Sequence, residues 1–137
     1  MQTEKLSIFI ATAIYVDGTI HESELNAIIE IAKSFGIDEQ ELKSKVDGDL
    51  QKLKTIPMEE LDAYLASEAK ELNEKDALAI FNACLKIVVA DGELDNNEAA
   101  LLIGLSEALP LNLKTFDVIL MIADAVKKEI NNKEKQC

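Results

Sequence analysis

The chain has 137 residues, and 48% of them are hydrophobic, enough for the core of one domain. It carries 26 acids against 14 bases, every base is a lysine, and the formal charge is −12. Such a chain, without arginine's planar fork, is ill suited to phosphate: the balance argues against nucleic acid and an anionic membrane surface, and points to cations and basic protein partners.

The first predicted helix, about Thr3–Val16, is apolar nearly all round (Leu6, Ile8, Phe9, Ile10, Ala13, Ile14, Val16) and belongs in the middle of a bundle. Its apolar run has only Lys5 before it and Asp17-Gly18 where a cleavage site would stand, so it does not read as a signal peptide. It is also shorter than the roughly 20 residues a membrane span needs. A second helix, about Glu22–Phe35, sets Leu25, Ile28, Ile29, Ala32 and Phe35 on one stripe, with Gly36 as its C-terminal cap. Asp38 and Glu41 have capping-box spacing at the start of a third helix, about Glu39–Lys54, in which Gly48 weakens the helix and leaves room for a break near Asp47–Asp49.

Ile56-Pro57 turns the chain into a fourth helix, about Pro57–Leu72, with proline at its first position. Asn73 caps a fifth, Glu74–Ala90, almost wholly apolar from Ala77 to Ala90. A sixth, about Asn96–Leu109, stops at Pro110, and a seventh runs from Leu113 to Ile130. The polar tail from Asn131 to Cys137 is expected to fray, so the domain is set at 1–131 with a tail at 132–137. No segment reads as a strand. The expectation is an all-α, single-domain bundle of about seven helices. Cys84, in an apolar run, reads as a small buried hydrophobe, and Cys137 as an unpaired thiol; this usage fits a reducing, cytoplasmic setting.

Sliding residues 8–37 forward by 74 positions lays them over 82–111 without a gap. Asp17 falls on Asp91, Gly18 on Gly92, Ile20 on Leu94 and Glu24 on Glu98, and both copies read apolar helix, D-G-x-[IL]-x-x-x-E, amphipathic helix. A match at a fixed offset marks an internally duplicated helix–Asp-Gly–helix unit. The spacing equals half of an EF-hand loop, but Ala13 and Tyr15, and Ile87 and Val89, stand where two oxygen ligands should be. An ordinary EF-hand is therefore rejected.

Two readings of the acids compete. In one they are helix caps and turn residues, with Asp95 and Glu98 at capping-box spacing, favoured by the positive end of the helix dipole. In the other, Asp17, Glu24, Asp91 and Glu98 converge and hold a divalent cation, since four carboxylates brought together need a counter-charge. Oxygen ligands suit Ca²⁺, Mg²⁺ or Mn²⁺, and His21 is a candidate additional ligand for Zn²⁺ or Ni²⁺.

The paired units I-Y-V-D-G-T-I-x-x-x-E and V-V-A-D-G-E-L-x-x-x-E, followed by helices ending near F-G-I-D and L-P-L-N, resemble the TerB-like proteins. These comprise the tellurite-resistance TerB family and the N-terminal domain of a membrane-anchored DnaJ-type co-chaperone. The resemblance covers about residues 5–130. It implies a seven-helix duplicated fold, a metal-chelating role in a stress response, and acidic positions at Asp17, Glu24, Asp91 and Glu98. The first copy departs with Val16 where the second has Ala90, and no J-domain follows, so a co-chaperone role would act in trans.

The leading expectation is a non-catalytic module, not an enzyme, that chelates a divalent metal through the duplicated acids. The alternative is an acidic adaptor for protein partners with no metal. A metal-dependent hydrolase using the same four acids is weaker: there is one histidine, no recognisable nucleophile–base motif and no phosphate-binding loop.

Overall fold

The computed structural model describes residues 3–15, 21–90 and 94–135. Among these, seven helices and no strand occur: α1 Thr3–Tyr15, α2 Glu22–Phe35, α3 Glu39–Leu53, α4 Met58–Ala69, α5 Glu74–Val88, α6 Asn96–Ala108 and α7 Thr115–Lys135. The fold is an all-α bundle, as the sequence predicts.

α1 and α5 form the centre. Leu6, Phe9, Ile10 and Ile14 on α1 meet a core that includes Ile80, Phe81, Cys84 and Ile87 on α5, all buried. α2 and α3 pack on one another and on this pair, with α3 lying chiefly along α1. α6 packs on α5, α4, α7 and the edge of α1. No described helix is long and apolar enough to cross a membrane.

α1 buries polar groups as well as its apolar ones, and each has a partner. The Lys5 ammonium reaches Glu68 of α4, and Glu71 just beyond it at 2.8 Å. The Ser7 hydroxyl donates to Asp49 of α3, and the Thr12 hydroxyl to the Ile8 carbonyl at 2.9 Å. Burying a polar group is costly unless it is hydrogen-bonded, so the Lys5 and Ser7 contacts hold α1 in one register against α4 and α3, while the Thr12 bond is satisfied within α1. At the surface, Lys86 of α5 pairs with Glu30 of α2 at 2.6 Å. The Lys52 ammonium lies 5.1 Å from the Tyr64 ring centroid, linking α3 to α4.

Several predicted boundaries shift. α3 runs through Gly48 without a break, because Leu42, Val46, Leu50 and Leu53 bury a continuous stripe that outweighs one glycine. Pro57 is the N-cap of α4 rather than its first helical residue, with extended ψ of 143°. The α2 stripe is rotated: Ala27, Ile28, Ile31 and Ala32 are buried with Glu24, whereas Leu25 and Ile29 sit half-exposed. α7 does not end at Ile130; it continues through 131–135, so the expected frayed tail is helical that far. Between α6 and α7, Asn112 takes a left-handed φ of 55°, which asparagine tolerates better than most side chains.

Candidate functional site

Asp17 and Asp91, with their glycines, lie outside the described residues. The other sequence-predicted members, His21, Glu24 and Glu98, are described and sit at the starts of α2 and α6. His21 is the N-cap of α2, and Glu24 is its third helical residue. Glu24 Oε1 accepts from the His21 backbone N–H at 2.9 Å. At the start of α6, Glu98 Oε1 accepts from the Asp95 N–H at 3.2 Å, and Asp95 Oδ1 accepts from the Glu98 N–H at 2.7 Å. The same glutamate-to-N-cap bond therefore occurs twice, 74 positions apart. Each turns a carboxylate back toward the preceding loop and satisfies a backbone donor at the helix start.

The two sites differ in depth. Glu24 is 6% exposed and lies on the buried stripe of α2, whereas Glu98 is half-exposed on α6. A carboxylate at that depth is held only with hydrogen-bond or charge partners. Sequence spacing located this acid but gave no sign of its burial, because the rotation of α2 is decided by α3 and α5.

Among the described residues, no three His, Cys, Asp or Glu side chains stand grouped as a metal site requires. Glu24, Glu98 and His21 by themselves thus do not form one. The helical frame brings the two units together in a reciprocal way: α1 packs on α5, α2 reaches α5, and α6 reaches α1. Beyond the second loop, Leu94 and Ala99 open onto an apolar groove of about 610 Å³ between α6 and α7.

A small acidic bundle in which two helices start on a back-bonded glutamate defines an all-α domain without a strand among its described residues. The family model for tellurite resistance protein TerB matches residues 4–120, and the chain belongs to that family. No curated protein and no solved structure matches the chain.

Proposed function

We propose that this TerB-family chain is a non-catalytic binding module that holds a divalent cation between its two loop–helix units. Glu24 and Glu98 would act with Asp17 and Asp91. The observation that carries the reading is the repeated bond from Glu24 Oε1 to the His21 N–H and from Glu98 Oε1 to the Asp95 N–H. It orients one carboxylate toward each loop, where an aspartate stands seven positions earlier in sequence. The burial of Glu24 and the reciprocal packing of the units support it. Carboxylate oxygens favour hard cations such as Ca²⁺, Mg²⁺ or Mn²⁺, with His21 the residue that would admit Zn²⁺ or Ni²⁺. The cation would neutralise acids in a chain of charge −12 and so couple the loops to one another.

The test is thermal unfolding of chelator-treated protein titrated with each of these ions. A cation that binds only the folded state raises the midpoint with concentration. Asp17→Asn with Asp91→Asn should abolish the rise while leaving the metal-free midpoint unchanged. A second reading, an acidic adaptor without metal, is favoured by the same hydrogen bonds taken as capping alone. It predicts no rise with any ion, and a loss of about 1 kcal/mol when a cap is removed.

A further inference from the structure

We propose that the exposed apolar stripe of α7 is a self-association surface, on which two copies of this chain pair α7 against α7 in antiparallel fashion. α7 is apolar on two sides. Val118 and Ile122 are buried against the core, whereas Phe116 is 68% exposed, Leu120 52%, Ile119 47% and Ile130 42%. At 100° per residue, Phe116, Ile119, Leu120, Ala123 and Ile130 fall within a wedge roughly 100° wide, so they form one continuous face. The groove of about 610 Å³ runs along this face, walled by Leu94, Ala99 and Ile103 on one side and Ile119, Ile122 and Ile130 on the other. A helix that served only the core would need a single stripe, and a contiguous exposed apolar face marks an interaction site.

Charge selects a second copy as the occupant. A chain of net charge −12 resists self-association through like-charge repulsion, except where its surface is locally neutral. Over 115–131, α7 has three acids and two lysines, close to neutral. They are also segregated. The first half holds Asp117 and Asp124 without a lysine, and the second holds Lys127 and Lys128 against Glu129. Antiparallel pairing sets each half against its opposite, and an isologous twofold makes both pairings at once. A basic partner would be drawn elsewhere, to α4, whose charges are Glu59, Glu60, Asp62 and Glu68 with no lysine. Asp124 and Lys128 pair within α7 at 3.0 Å, but both are exposed and can exchange partners across a dimer.

Ala123 stands midway between Phe116 and Ile130. A twofold at this small residue lays Phe116 of each copy in the groove beside Ile130 of the other. The α7 contact would extend over roughly 31 Å, the length of a 21-residue helix.

The test is the molar mass of the full chain by sedimentation equilibrium across the micromolar range. The expected result is a dimer that dissociates on dilution. Phe116→Glu should give a monomer with an unchanged thermal midpoint, and Leu120→Lys provides a second exposed variant should the first fail to fold. Lys127→Glu should weaken the dimer about tenfold, and adding Asp117→Lys to it should restore the dimer, as only opposed halves predict. A single-chain mass at every concentration overturns the proposal, as does a dimer indifferent to both apolar variants. A monomer that takes up an apolar dye in the groove also overturns it, assigning that surface to a small ligand instead.

Discussion

The Cys84 thiol donates to the backbone carbonyl of Phe9 at 3.3 Å, joining α5 to α1 at the centre of the fold. Both side chains are fully buried. Desolvation pushes the thiol up to about 12, so it stays neutral and unreactive.

Native protein at neutral pH should therefore leave Cys84 unmodified by a thiol reagent, and denaturant should expose it. Mass spectrometry after labelling checks this. Because the folded thiol holds its proton more tightly than the unfolded one, its contribution to stability is intact below about pH 9. It falls by about 1.4 kcal/mol per pH unit toward pH 12. Denaturant melts of wild type and Cys84→Ala across that range should diverge in this sense.

Lys5 should be more sensitive to one partner than the other. Burial lowers its pKa, but hydrogen bonds and charge from Glu68 and Glu71 raise it further, for a net increase. The Glu68 side chain is 25% exposed and that of Glu71 is 70%. Glu68→Gln should cost about 1–3 kcal/mol, and Glu71→Gln less than about 1 kcal/mol, because solvent screens the outer pair. Urea unfolding midpoints would order the two; equal losses would contradict the buried-pair account.

Gly48 lies in α3, where an added Cβ meets nothing within 4 Å. Gly48→Ala should stabilise the protein by about 0.5–1 kcal/mol, through helix propensity and a less flexible unfolded chain. Gly36, at a left-handed φ of 68°, should respond in the opposite sense, since alanine is strained there although it has room. Thermal melts of the two variants give the comparison.

Asp38 Oδ1 accepts from the Gln40 N–H at 2.8 Å and the Glu41 N–H at 3.1 Å, capping α3. Asp38→Ala should cost about 1 kcal/mol and Asp38→Asn much less, as asparagine keeps the accepting oxygen. Asp95→Ala at the start of α6 should match it, since its carboxylate accepts from the Glu98 N–H in the same way. Equilibrium unfolding of all three variants measures the difference.

Much of the fold is legible in local pattern. Asn73, Asp95 and Gly36 announce helix ends, and the structure uses all three as caps. The spacing from Asp95 to Glu98 gives a reciprocal cap directly. The Asp38–Glu41 spacing is read less fully: Asp38 caps α3, while the Glu41 carboxylate lies 3.7 Å from Lys45. The break that Gly48 left room for does not form, because a long-range core outweighs one residue's propensity. The candidate acids are legible as first-turn glutamates, but the depth of Glu24 is not.

By itself the sequence determined the helix order, the caps and the family motif, because those depend on groups within about one helical turn of each other. Only the tertiary structure decided which faces are covered. Glu24 goes inward with Ala27 and Ile31, Lys5 finds Glu68 more than sixty positions away, and α7 keeps Phe116 in solvent while burying Val118. Burial is a property of neighbouring helices, and periodicity along one helix cannot say which of two apolar stripes its neighbours will reach.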